Sequence, residues 1–210
     1  MFKLFKKVLV LAPHTDDGEI GCGGTIAKLL QEGSEIFYVA FSSAKESLKQ
    51  NGFKEDVLIN EVKAATYTLG IKKKNLSIYN YKVRFFFSSR QEILEDMIKL
   101  KNKLKPDLVI MPSLKDIHQD HVIIAQEGLR AFKNSTLLAY ELIWNNLNFQ
   151  NMMFVKLKKK YVQTKWDSLK KYKSQTNKSY MNEDFIFSLA RTRGVQIGTK
   201  YAESFEVIRW

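Results

Sequence analysis

The chain contains three histidines, and each stands a few residues beyond a short apolar run. His14 follows the run at residues 8–11 and is joined at once by Asp16 and Asp17. His118 and His121 follow the run at residues 108–111, with Asp120 between them. His14, Asp17 and His121 make a three-ligand set that suits zinc, because nitrogen and oxygen ligands fit that ion. Three protein ligands also leave a coordination position open for water, which marks a catalytic rather than a structural site. Zinc lowers the pKa of its water from about 15.7 to about 7, so hydroxide becomes available near neutrality. Asp16, outside the set, is the candidate to take the proton. Iron or manganese would accept similar ligands. Taken singly, His-x-x-Asp reads as a helix cap or turn and His-x-x-His as no more telling. Two such motifs at two strand exits favour the metal site.

The elements that must position these groups follow from the apolar pattern. Runs as short as 8–11 and 108–111 suit strands covered on both faces, and in open α/β sheets ligands sit beyond the carboxyl ends of such strands. Gly21, Gly23 and Gly24 let the backbone turn tightly into a helix that should stop at Gly33. Spaced by three, His118 and His121 would share one face at the start of the following helix. Further strands are expected at 35–43, 76–81, 135–144 and 201–210, and helices at 54–69, at 181–194 and from the Ser89/Glu92 capping box to Pro106. Residues 154–165 read as an edge strand or hairpin and 166–175 as a short helix. The alternation predicts an α/β fold with a Rossmann-like, doubly wound, mainly parallel sheet in a single domain.

Other residues are candidates for binding. Arg84 and Arg90 suit a substrate phosphate or carboxylate, since guanidinium forks match such groups. Glu46 lies in a polar loop, 44–56, expected at the site's edge of the sheet. Phe85, Phe86 and Phe87 read as core or subunit contact, the latter implying a homo-oligomer. Tyr180, Arg191 and Arg193 fit a pocket lining or surface packing equally well. Cys22 is the chain's one cysteine and reads as a small buried residue.

The segment APHTDDGEIGCGGTIAKL, with DIHQDH downstream, resembles the LmbE-like (PIG-L) family of zinc-dependent N-deacetylases, whose motifs are written His-Pro-Asp-Asp-Glu and His-x-Asp-His. The similarity extends through the closing RGVQIGTKYAESFEVIR. It implies zinc held by His14, Asp17 and His121, Asp16 as general base, His118 on the oxyanion or as proton donor, and Asp120 as a carboxylate that orients the histidines. The preference for His121 over His118 as ligand rests on the resemblance alone. Thr15 and Gln119 replace prolines, Gly18 stands at the usual glutamate with Glu19 beside it, and Leu58 replaces an arginine found in many members three residues before Glu61.

At 210 residues with a net charge of +12, the chain is long enough for one well-buried core and strongly basic. Its lysines read as solvated faces or as an attraction toward an anionic partner, such as a nucleotide- or lipid-linked sugar or a membrane surface. No nucleic-acid-binding signature accompanies them. No apolar run reaches the length of a membrane span, no signal peptide is convincing, and the single cysteine favours the cytoplasm. The expected activity is removal of the N-acetyl group from an N-acetylated amino sugar conjugate. Two other readings remain: a non-catalytic sugar-binding protein, and a nucleotide-binding module in which the Gly21–Gly24 turn cradles phosphate.

Overall fold

The computed structural model of the protein describes residues 5–46 and 54–210. Part of the expected 44–56 loop, residues 47–53, and the basic start at residues 1–4 lie outside the described residues. A seven-stranded sheet runs through the molecule in the order β3-β2-β1-β4-β5-β7-β6. The strands are β1 (Lys7–Ala12), β2 (Glu35–Ala40), β3 (Leu76–Ile78), β4 (Leu108–Pro112), β5 (Thr136–Tyr140), β6 (Met153–Leu157) and β7 (Tyr201–Arg209). The first five pair in parallel, while β7 runs antiparallel to both β5 and β6. The expected mainly parallel, doubly wound sheet is present, with an antiparallel edge.

Alternation along β1 divides the core. Val8, Val10 and Ala12 face one side, with α1 (Asp17–Gln31), α2 (Val57–Leu69), α5 (Lys159–Leu169) and α6 (Glu183–Val195) supplying its cover. Leu9 and Leu11 face the other side, against α3 (Arg90–Leu104) and α4 (Gln119–Ala131). Both faces being covered, every β1 residue after Lys7 is buried, which is why the run is continuously apolar. The chain's winding reverses between β1 and β4, the adjacent central strands, so their exits border one crevice. Ligands bind at that crevice in open α/β sheets.

Several expected bounds shift. The strand expected at 35–43 ends at Ala40 and that at 76–81 at Ile78. The 135–144 strand is confined to Thr136–Tyr140. Within 154–165 the edge strand is real but short, and α5 begins at Lys159. Ser89 makes no side-chain cap bond, so the expected capping box with Glu92 does not form. Among the described residues no helix is long and apolar enough to cross a membrane.

Helix α1 is the element the site depends on, and it is packed unusually close. A Cβ at Gly21 would lie 2.4 Å from the Tyr140 ring, and one at Gly18 2.6 Å from the Tyr38 ring. The helix breaks at Cys22 (φ −146°, ψ 22°). The restarted turn presents the amides of Gly24 and Thr25 to the Glu203 carboxylate at 3.0 and 2.6 Å, and buried Lys165 pairs with the same carboxylate at 2.8 Å. The glycine turn is thus filled by the protein's own carboxylate, which removes the basis for a phosphate cradle there. Cys22 is buried, as expected, and its Sγ–H donates to the Gly18 carbonyl.

Because Tyr140 is fully buried and its hydroxyl donates to the Leu11 carbonyl, its ring cannot yield to a new methyl. Gly21→Ala is expected to cost about 2 kcal/mol or more through overpacking. The check is a lower urea midpoint at unchanged slope.

Candidate active site

The β1 exit delivers His14, Asp16 and Asp17, the last as the first residue of α1. The β4 exit delivers Asp116, then His118 as the cap of α4, whose first turn carries Asp120 and His121. Three atoms from the two exits converge. His14 Nδ1 lies 3.2 Å from Asp17 Oδ2, His121 Nε2 lies 3.3 Å from the same oxygen, and the two nitrogens are 3.3 Å apart. Tetrahedral zinc with bonds of about 2.0–2.1 Å needs its ligand atoms about 3.3 Å apart. The donor set fits such an ion.

The opposite nitrogen of each of these imidazoles meets a carboxylate. His14 Nε2 is 3.0 Å from Asp120 Oδ2 and His121 Nδ1 is 2.8 Å from Asp116 Oδ2. Each contact fixes the proton on the outer nitrogen and turns the inner lone pair toward the triangle, as metal-binding histidines require. Asp116 is a residue that sequence reasoning missed. Its signal was a carboxylate five positions before His121, easily read as part of a turn.

The three imidazoles also offer nitrogens within 4.8 Å of one another, so His118 is a competing ligand on proximity alone. Its bonding argues otherwise. His118 Nδ1 accepts the Asp120 backbone N–H at 3.2 Å, which leaves Nε2 as the protonated, donating nitrogen of a neutral ring. Burial and the charges of His121 and His14 lower its pKa to about 4.

Electrostatics separates the remaining groups. Burial opposes charge on His14 and His121, but bonds from Asp120 and Asp17 raise the former to about 9, while Asp17 and Asp116 raise the latter to about 10. Asp17 is held well below its ordinary value, burial being outweighed by His121 and His14. The triangle therefore attracts positive charge. Asp16 behaves oppositely, since burial and the Asp17 charge lift it to about 6.

The His14–Asp17 loop rests on a buried polar platform. The Thr15 carbonyl lies 3.0 Å from the Tyr38 hydroxyl and 2.7 Å from that of Tyr172. Both hydroxyls also contact the fully buried Glu19 carboxyl. Glu19 points away from the cavity into this platform. Tyr38 fills the space a side chain at residue 18 would need, which accounts for Gly18.

A cavity of about 270 Å³ opens beside the triangle, lined by Asp16, His118, Arg84, Trp144, Lys178 and Tyr180 among others. Arg84 lines the cavity and is held in the left-handed region (φ 69°) with its N–H donating to Asp120 at 2.7 Å. Arg90 is not brought there: it pairs with the buried carboxylate of Glu127. Glu46 is half-buried and does not line the cavity. Tyr180 lines it, while Arg193 pairs with Glu141 and Arg191 donates to the Lys200 carbonyl. Leu58 adds an apolar contact to the cavity wall, and Glu61 is spent on Ser174. Phe86 is core, whereas Phe85 and Phe87 are exposed.

Residues 9–132 match the family model described as PIG-L: GlcNAc-PI de-N-acetylase. The chain is 29% identical over 178 residues to the uncharacterized deacetylase YaiS of Escherichia coli (strain K12), covering 80% of this chain and 91% of that protein. It is 27% identical over 154 residues to the diacetylchitobiose deacetylase of Thermococcus kodakarensis, covering 66% of this chain and 56% of that protein. Its fold is similar to that of N,N'-diacetylchitobiose deacetylase from Pyrococcus horikoshii complexed with its inhibitor MPG, with TM-score 0.82 and 24% identity over 99% of this chain and 87% of that one.

The platform beneath the loop makes stability depend on pH. Burial raises Glu19 from 4.5 to about 8, its tyrosine bonds only partly opposing. The native chain then keeps a proton that the unfolded chain releases, so this contribution is complete below the unfolded value and is lost as pH rises through the folded one. Glu19→Gln mimics the protonated acid without ionising. It should flatten the fall in urea midpoint between about pH 5 and about pH 8; an unchanged fall would show that another group controls it.

Proposed function

The chain belongs to the PIG-L family of de-N-acetylases, and from that premise we propose that it hydrolyses the N-acetyl group of an N-acetylated amino sugar conjugate, releasing acetate and a free amine. The observation that carries the reading is the near-equilateral triangle of His14 Nδ1, Asp17 Oδ2 and His121 Nε2 beside the Asp16 carboxylate. These three residues would hold a divalent ion, zinc by ligand type, with iron or manganese accepting a similar set. Such an ion, when bound, supplies Lewis acidity and an acidified water.

The chain's own groups account for the proton movements. Asp16 accepts the proton of the attacking water, and a pKa raised toward neutrality suits a base that must later return that proton. His118, neutral and with Nε2–H free to donate, stabilises the tetrahedral oxyanion. Its pKa, lowered to about 4, makes it a poor source of the amine's proton, so Asp16 passes the proton taken from water to the amine nitrogen as the C–N bond breaks. Asp120 and Asp116 orient His14 and His121.

A cavity of about 270 Å³ lies just below the roughly 300–1,000 Å³ usual for ligand sites, which suits one sugar ring with the rest of the conjugate outside. Arg84 and Lys178 at its lining suit a phosphate or carboxylate on that remainder. Exposed Phe85 and Phe87, adjacent to Arg84, suit a contact between subunits or with a lipid surface. The lone buried cysteine fits a cytoplasmic, reducing setting.

The test combines metal analysis with acetate release from a panel of N-acetylglucosamine conjugates. Asp16→Ala should retain the metal and lose at least about 100-fold in kcat, and His121→Ala should lose the metal. No bound metal in the wild type, with no rescue by zinc, iron or manganese, would sink the reading. Asp116→Ala should weaken metal affinity by about 10–100-fold, measured by competition with a chelator; unaltered affinity would remove Asp116 from the site.

A further inference from the structure

Besides the imidazoles, two aromatic side chains, Trp144 and Tyr180, line the cavity. Trp144, beyond β5, stacks on Tyr180 with ring centroids 3.8 Å apart and planes 6° from parallel. Phe185 of α6 also packs against Trp144, with ring centroids 6.2 Å apart and planes tilted by 54°. Tyr180 is half-buried, and its hydroxyl has no hydrogen-bond partner among the described residues. Burial, then the charges of Asp16 and Asp17, raise its pKa above the ordinary phenol value. The phenol is thus a neutral donor that senses the carboxylates of the site, on a ring already fixed by stacking. A donor immobilised before binding loses little entropy when it meets a ligand.

We propose that Trp144 and Tyr180 form the sugar-recognition wall of the site: the Tyr180 ring, braced by its stack on Trp144, takes the apolar C–H face of an N-acetylated hexosamine, and the Tyr180 hydroxyl donates to a ring-substituent oxygen of that sugar. The remainder of the cavity fits the assignment, since a pyranose carries C–H groups on its faces and hydroxyls on its rim. Aromatic wall and polar lining are then matched to one ring. This rests on the deacetylase reading for the choice of sugar.

Tyr180→Phe keeps the ring and its stack and removes only the hydroxyl, whereas Trp144→Leu removes the stack. Binding of N-acetylglucosamine and of diacetylchitobiose is measured by calorimetry in an Asp16→Asn background, which prevents turnover, and acetate release is measured with Asp16 intact. Tyr180→Phe is expected to weaken binding about 10-fold and to raise KM comparably, with kcat within about twofold. Trp144→Leu should weaken binding at least as much. Unchanged Kd and KM in Tyr180→Phe, a loss confined to kcat, or no binding of either sugar overturns the proposal; Tyr180→Phe decides even if Trp144→Leu fails to fold. Sugar binding that depends on Tyr180 without acetate release would sink the deacetylase reading and leave the wall standing. Acetate release indifferent to both variants would do the reverse.

Discussion

One buried carboxylate ties the site together. Asp120, fully buried, meets His14 from the β1 exit with Oδ2 and accepts the Arg84 amide with the same oxygen and the Phe86 amide with Oδ1. Burying a charge without partners costs several kcal/mol, so the fold must supply all three donors or expel the group. That requirement couples the β1 loop, the start of α4 and the 83–87 segment, although they are far apart in sequence. The left-handed backbone of Arg84, a non-glycine residue, carries one of these donors.

Helix α1 shows two solutions to the same problem of buried acids. Glu203 reaches it from β7 as a charged group and is compensated by Lys165 and by the two amides freed at the Cys22 break. Glu19 lies on the helix itself with two tyrosine hydroxyls and, among the described residues, no cation within bonding distance, and burial raises its pKa. A paired charge fixes the back of the helix, while a near-neutral carboxyl supports the loop in front. Placing the uncharged one beneath Thr15 keeps another full negative charge away from Asp16 and Asp17, where it would raise the pKa of Asp16 further.

Much of this was legible in the sequence because strand burial and histidine placement are local signals. Continuous apolar runs located β1 and β4, and their order gave the crevice. What was not legible depended on partners distant along the chain. Helix α5 was obscured because its buried face, Tyr161, Val162, Lys165, Ser168 and Leu169, carries a lysine and a serine where an apolar stripe would be sought. Lys165 is buried only because Glu203 awaits it. The Ser89/Glu92 box failed because Phe86–Ser89 form a tight 3-10 turn leading into α3, which leaves Ser89 without the extended backbone that a capping side chain needs. Arg90 looked free until Glu127, on α4, was placed beside it.

The choice between His118 and His121 shows where sequence spacing stops and geometry begins. Three positions apart, both could face one side of a helix, and periodicity treats them alike. The helix start separates them. His118 is the cap residue, with extended backbone (φ −76°, ψ 123°), and its Nδ1 takes the Asp120 amide, so one nitrogen is consumed by the helix end itself. His121 lies in the first turn, three positions on, where its Nδ1 meets the Asp116 carboxylate instead. A cap histidine therefore keeps an N–H facing outward, whereas an interior histidine oriented by a carboxylate keeps a lone pair. The proposed donor and the proposed ligand thus differ by one turn of backbone, and the same turn places Asp120 between them, 3.0 Å from His14.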